Sequence, residues 1–398
     1  MNYDIKVQQL EFLDWEFGVF FHFGIRTFYE GHTDWDMKEM PLDGFNPAQL
    51  DCENWIKTIS DAGAKYAVLV CKHHDGFANW PSKFTDYSVK NTPWKNGQGD
   101  VVAEFVSACR KYGIKAGLYY SPAQFGSIKM NPDEYDNYFI NQISELLTNY
   151  GKIDYLWFDG CGSDGHKYNE KRIINSIRLL QPDILIFNMW DPDTAWCGNE
   201  SGYCESPNVN FRYYGGEKRF LPYECDCRIR KSWFYSDADK DTLKSLDDLM
   251  GIYLYSVGRG ANLLLNIGPD RRGLLLEEDC ERIKEFGAEI RRRFGKPLKK
   301  TDALKSDNSM DICFDELTSV TAIEITENPA AENPVNGVEI YSSIYNNEDE
   351  IFLTSAKSVG HKLILEIPAF IGKRFTAKFI CNSRAEIREF KVYGKKSK

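Results

Sequence analysis

The sequence predicts a (β/α)8-like TIM barrel followed by a smaller all-β sandwich, and three observations lead there. Short apolar runs alternate with amphipathic helical stretches over the first 300 residues or so, the pattern of parallel βαβ units. After Gly295-Lys296-Pro297 the pattern changes to short alternating strands separated by turn clusters such as Asn333-Pro334-Val335-Asn336. A length of 398 residues exceeds one ordinary domain and suits a barrel at 1–297 with an accessory module at 298–398.

The apolar runs that read as barrel strands lie at 17–23, 66–72, 115–120, 154–158, 184–188 and 262–267. Between and after them, 3.6-residue periodicity predicts helices at 47–62, 101–112, 133–150, 169–180, 242–256 and 277–294. From about 190 to 235 the rhythm breaks into Gly, Pro, Asn and aromatics, which reads as a long insertion at the C-terminal, active-site face. The C-terminal module reads as strands at 320–325, 337–341, 362–367, 375–380 and 386–392.

Composition narrows the function. A net charge of −10 repels phosphate backbones and anionic headgroups, so neither nucleic acid nor a membrane is an expected partner. No run is apolar for long enough to span a bilayer. The opening Met1-Asn2-Tyr3-Asp4-Ile5-Lys6 carries no secretory signal pattern, and 11 scattered cysteines form no C-x-x-C pair; both predict a soluble protein in a reducing cytoplasm. Aromatics at 14% offer flat apolar faces suited to sugar rings, although they also fill cores. A G-x-S-x-G elbow and a phosphate-binding G-x-x-x-x-G-K-[ST] loop are both missing.

Catalytic groups of a barrel gather where its strands end. The first run ends in His22-Phe23-Gly24, the second in Lys72-His73-His74-Asp75-Gly76, the third in Tyr119-Tyr120-Ser121, and the fourth in Trp157-Phe158-Asp159-Gly160. Asp159, walled by aromatics, is a candidate catalytic carboxylate, although Asp-Gly also simply starts turns. A retaining glycosidase needs a second carboxyl group about 5–5.5 Å from the first. Glu200, Glu205 and Glu224 are the candidates in the irregular region, and spacing alone does not choose among them. A metal is not expected: His73 and His74 are neighbours that an extended strand would point to opposite faces, and no His-x-His pattern is present. Neutral imidazoles holding sugar hydroxyls explain the histidines better.

Taken together, Phe17-Gly18-Val19-Phe20-Phe21-His22-Phe23-Gly24, Lys72-His73-His74-Asp75-Gly76-Phe77, Gly117-Leu118-Tyr119-Tyr120-Ser121, Trp157-Phe158-Asp159-Gly160 and Leu264-Leu265-Asn266-Ile267-Gly268-Pro269 resemble, in order, glycoside hydrolase family 29, the α-L-fucosidases. The resemblance runs from about residue 10 to 300. It implies a retaining double displacement on terminal α-linked fucose of an oligosaccharide, without cofactor. Asp159 would be the nucleophile. His22, His73, His74, one of Tyr119 or Tyr120, and Trp157 would hold the sugar. Trp35 falls where the family usually has Glu-Trp; here Asp34 precedes it, a shorter side chain.

The strings Gly198-Asn199-Glu200 and Glu224-Cys225-Asp226, with Ser232-Trp233-Phe234-Tyr235 behind them, resemble the subgroup that prefers branched α-1,3/1,4-linked fucose. That likeness implies Glu200 as acid/base, with Glu224 as the alternative, and Trp233 and Phe234 against the fucose methyl. A metal-dependent barrel hydrolase and a non-catalytic carbohydrate-binding barrel are the competing readings, and a homo-oligomer is compatible with all three.

Overall fold

A computed structural model describes residues 4–31, 38–123, 130–161, 165–331, 333–345 and 349–395. The first strands are β1 (Phe17–Phe21), β2 (Tyr66–Lys72), β3 (Lys115–Tyr120), β4 (Tyr155–Phe158), β5 (Leu185–Phe187) and β6 (Ala195–Trp196). A separate antiparallel hairpin follows, β7 (Phe211–Tyr214) with β8 (Glu217–Phe220), and then come β9 (Tyr223–Arg228) and β10 (Asn262–Ile267). Without the hairpin these form one eight-stranded parallel sheet in the order β5-β4-β3-β2-β1-β10-β9-β6. A parallel bridge between Phe187 and Thr194 closes it into a barrel, with the Asn188 amide donating to the Thr194 carbonyl at 3.0 Å.

The helices are α1 (Val7–Leu13), α2 (Cys52–Ala62), α3 (Val101–Tyr112), α4 (Pro132–Asn149), α5 (Glu170–Leu180), α6 (Leu246–Tyr255) and α7 (Glu277–Phe294), and α2 to α6 begin where short polar side chains satisfy a free amide. Asp51 accepts from Asn54 N–H at 2.8 Å and Asp100 from Ala103 N–H at 2.9 Å. Asn131 and Glu134 cap each other reciprocally ahead of Pro132, whose missing N–H costs nothing there. No helix among the described residues is long and apolar enough to cross a membrane.

The two-residue period of a strand sorts side chains between two cores. Inside the barrel lie Phe20, Tyr66, Val68, Val70, Tyr119, Tyr155, Trp157, Leu185, Phe187 and Leu264, with Phe12 and Trp15 packed against them from α1 and the turn after it. Their neighbours Val19, Phe21, Ala67, Leu69, Cys71, Leu118, Tyr120, Leu156, Phe158, Leu263 and Leu265 face the helices. Gly18 sits on the inward face because the Tyr66 ring occupies the space a side chain would need: a Cβ there would fall 2.4 Å from the ring.

The irregular stretch expected at 190–235 is corrected by the structure, since it contains the two barrel strands β6 and β9 as well as the hairpin. The other expected barrel strands and helices all form: Tyr66–Lys72, Lys115–Tyr120, Asn262–Ile267, Val101–Tyr112 and Glu277–Phe294 have the expected ends, and the rest have shifted ones.

The C-terminal sheet is antiparallel throughout, with β11 (Lys299–Thr301), β12 (Ser309–Glu327), β13 (Gly337–Ser343), β14 (Ile351–Ala356), β15 (Leu363–Ile380) and β16 (Ile387–Lys395) in the order β11-β16-β12-β15-β13-β14. The sequence reading splits β15 in two and misses β11 and β14. Long strands need bends, and the register breaks between Cys313 and Thr318 and between Val320 and Ala322 supply them. The sheet meets the barrel through Ile364, buried in the helix-side core, an Arg293–Glu366 ion pair at 2.8 Å, and Tyr393 edge-on to Phe294.

Gly18→Ala is expected to lower the thermal midpoint through overpacking worth about 1–3 kcal/mol. It should also perturb near-ultraviolet circular dichroism as Tyr66 is displaced. An unchanged midpoint would contradict the close approach.

Candidate active site

A cavity of about 460 Å3 opens at the C-terminal ends of the strands, and His22, His73, His74, Tyr119, Trp157, Asp159, Glu200 and Trp233 all line it. Strand alternation chooses most of them. On β3, Tyr119 faces inward while Tyr120 turns outward and donates to Gln142 Oε1 of α4 at 2.6 Å. The sequence left the two tyrosines equivalent; Tyr120 is not at the cavity.

Asp159 follows directly after β4. Its Oδ2 accepts from the Tyr119 hydroxyl at 2.8 Å, and its Oδ1 from the Cys161 amide at 2.8 Å. His74 Nε2 stands 3.5 Å from Oδ2. Burial pushes this carboxyl above its usual range, the two donors pull it back, and the charge of Glu200 adds to the rise. Tyr119 is itself held between the faces of Trp157, with centroids 5.4 Å apart, and His73, at 5.6 Å.

The histidines are neutral. Burial holds His22 well below the ordinary imidazole range, His73 at about 3 and His74 at about 2, and neighbouring positive groups add to each effect. Asn266 Nδ2 donates to the Trp233 carbonyl at 2.7 Å, so its Oδ1 accepts from His22 Nδ1, also at 2.7 Å. That choice leaves His22 Nε2 as an acceptor. His74 Nδ1 lies 2.6 Å from Ser121 Oγ. Since β2 ends at Lys72, the alternation expected to separate His73 from His74 no longer applies. The two histidines and Asp159 offer ligand atoms that all lie within 4.8 Å of one another, a possible seat for a borderline cation.

The two candidate glutamates differ sharply. Glu200 is half-exposed on the cavity rim, 3.8 Å from Arg228. Glu224 is fully buried on β9. Its oxygens accept from Tyr66 Oη at 2.7 Å, Trp157 Nε1 at 2.8 Å and Tyr155 Oη at 3.4 Å, and burial pushes it up to about 8. Glu224 therefore supports the cavity from beneath Trp157 and does not line it.

Trp233 lies tilted against His22 with centroids 4.8 Å apart, while Phe234 stands edge-on to His22 and His73 and lines an adjoining cavity of about 370 Å3. Asp34 and Trp35 lie outside the described residues. Sequence reasoning missed Asp226, Trp196, Asn188 and Phe187 on the cavity wall. The signal for Asp226 was the period-two pair Glu224 and Asp226, hidden because Tyr223–Arg228 is not an apolar run.

A barrel that gathers carboxyls among stacked aromatics and neutral imidazoles at its strand ends has the architecture of a glycoside hydrolase. The chain belongs to the alpha-L-fucosidase family, whose model matches residues 3–293. It is 37% identical over 300 residues to alpha-L-fucosidase 1 of Arabidopsis thaliana, covering 69% of this chain and 58% of that relative. It thus spans little more than half the length of that plant protein. The solved structure of a glycoside hydrolase 29 family member from an unknown rumen bacterium aligns with a TM-score of 0.89 at 30% identity, over 98% of this chain and 77% of that one. A glycoside hydrolase 29 fucosidase from Ruminococcus gnavus in complex with fucose shares the fold, with a TM-score of 0.82 at 22% identity over 99% and 95% of the two chains.

A carboxyl held at about 8 in the fold and near 4.5 outside it stabilises the fold below about pH 4.5 and loses that contribution as pH rises through 8. Glu224→Gln, which keeps an acceptor for Trp157, should therefore flatten the fall in thermal midpoint between about pH 5 and 8. Tyr119→Phe should raise the apparent pKa of Asp159 further, because the carboxylate loses a hydrogen bond that favours its charged form. The carboxyl carbon resonance of labelled Asp159 reports that shift.

Proposed function

We propose that the chain is a retaining, exo-acting α-L-fucosidase that removes terminal α-linked fucose from oligosaccharides. The observation that carries this reading is Asp159, hydrogen-bonded by Tyr119 and Cys161 in a cavity that Glu200 also lines. Asp159 attacks the anomeric carbon while Glu200 protonates the departing oxygen. Water activated by the same glutamate then hydrolyses the fucosyl ester. His22 Nε2 is available to accept from a sugar hydroxyl, and Trp233 gives the ring an apolar surface, while Trp157, stacked between Tyr119 and Phe187, backs the cavity wall. Tyr120 and Glu224 hold the surrounding walls in place instead of touching sugar.

A preference for branched α-1,3/1,4-linked fucose is proposed on the adjoining cavity, which shares His73 and Trp233 with the first and gives a branching sugar room. The boundary between barrel and sheet is placed at 297/298, supported by the Leu298 amide, which donates to Val392 of β16 at 2.9 Å. Eleven free thiols support a reducing, cytoplasmic setting.

The metal-dependent alternative keeps one observation in its favour, the convergence of His73, His74 and Asp159. A single experiment separates the readings: fucose release from an aryl α-L-fucoside and from a Lewis-type trisaccharide, by wild type and Asp159→Ala, with and without chelator. The expected result is chelator-insensitive release that drops at least about 10^3-fold in Asp159→Ala, as loss of an attacking group does. Faster turnover of the trisaccharide supports the branched linkage. Release abolished by chelator would favour the metal reading, and no release at all would overturn the proposal.

A further inference from the structure

Asp226 has no part in the mechanism above, yet its carboxyl forms part of the cavity wall. It points inward from β9, only 4% exposed, and its Oδ1 accepts from Trp196 Nε1 at 2.7 Å. The segment that carries Glu200 is laced to the same strand. Cys197 N–H donates to the Glu224 carbonyl at 3.0 Å, Gly202 N–H to the Asp226 carbonyl at 3.2 Å, and Ser201 bridges to Cys227. The segment that carries Glu200 is therefore held against the strand that carries Asp226, and both carboxyls line the same cavity, the first open to solvent and the second dry.

The groups around Asp226 are mostly acidic. Glu200 faces it from the 197–202 segment and Asp159 from the end of β4, while its own strand adds Glu224, Cys227 and Arg228. Arg228, the cation of this set, stands 3.8 Å from Glu200. Burial pushes Asp226 up to about 7, and the charges of Glu200 and Asp159 push in the same direction.

We propose that Asp226 is a positioning residue that stores the catalytic proton and shares it with Glu200. The inference rests on the reading of Glu200 as acid/base. In the free enzyme the proton sits on the dry Asp226. When a sugar fills the cavity, the O–H bond on Asp226 breaks and its proton passes to a water held between the two carboxyls, which gives one of its own protons to Glu200 and is left as water. The Trp196 indole N–H remains to stabilise the Asp226 carboxylate. Glu200 next gives its proton to the leaving oxygen just as Asp159 loses its charge by becoming an ester. The cavity holds two negative charges before that step and two after it. The charge on Asp226 also strengthens Glu200 as the base that takes a proton from water.

The test compares pH profiles of kcat/KM for two aryl α-L-fucosides, one with a poor leaving group that needs protonation and one with a good leaving group that does not. Asp226→Asn keeps the shape and the acceptor for Trp196. It is expected to lower kcat/KM on the poor leaving group about tenfold or more and move its upper pH limb down by about one unit. On the good leaving group it should cost less than about threefold, with fucose inhibition unchanged. Asp226→Glu should restore the limb in part. Trp196→Phe, which destabilises the Asp226 carboxylate, should move the same limb upward, and it carries the test if Asp226→Asn does not fold. Equal losses on both substrates, or a limb that stays in place, would overturn the proposal. Glu200→Gln is read alongside: if it shows no leaving-group dependence and no rescue by azide, the acid/base assignment itself fails; if it shows both while Asp226→Asn is silent, only the proton-sharing idea fails.

Discussion

The cavity depends on a buried carboxyl that does not line it. Glu224 gathers the Tyr66 and Tyr155 hydroxyls and the Trp157 indole at the centre of the barrel, joining β2, β4 and β9. Fixing Trp157 fixes what stacks on it, Phe187 on one side at 4.1 Å and Tyr119 at 5.4 Å. Tyr119 in turn donates to Asp159. An unbroken relay of hydrogen bond, ring stack and hydrogen bond thus runs from the barrel axis to the candidate nucleophile. A buried carboxyl is costly unless neutral or well satisfied, and Glu224 answers that cost by being held largely protonated at neutral pH and bonded by three donors.

Burial also decides the character of the upper layer. Histidines at the ends of β1 and β2 are packed so tightly against aromatic rings that they stay uncharged throughout the neutral range. They serve as neutral hydrogen-bonding groups well suited to hydroxyls, His22 with its tautomer fixed by Asn266, and they supply no positive charge to hold Asp159 ionised. That task falls to the Tyr119 hydroxyl and the Cys161 amide.

Much of this was legible in the sequence, and the failures share a cause. Strands such as Tyr66–Lys72 lie between an apolar interior and apolar helices, so they read as continuous hydrophobic runs. β9, Tyr-Glu-Cys-Asp-Cys-Arg, sends carboxyls into the barrel, and β6 is two residues long. Neither carries the signal by which strands are recognised. Missing β9 hid the difference between Glu224 below the floor and Asp226 on the wall, a distinction that follows from register alone. Tyr119 and Tyr120 were ambiguous for the same reason, because one residue of register exchanges inside for outside. The expected opposition of His73 and His74 failed because the strand stops one residue before them. Motif order found the nucleophile candidate, but no motif encodes which carboxyl is dry.

The lacing of residues 197–202 to β9 has a consequence for how such a site can change. Asp159 is anchored by the packed interior, where almost any replacement disturbs stacked rings. Glu200 rides on a short rim segment attached to its neighbour by main-chain hydrogen bonds, which are indifferent to side-chain identity. The two carboxyls therefore belong to parts with different tolerance for variation, one frozen and one interchangeable. A lineage could trade rim segments to suit new leaving groups while the sugar-holding floor stayed as it was, and a designer could graft segments at the same two attachment points.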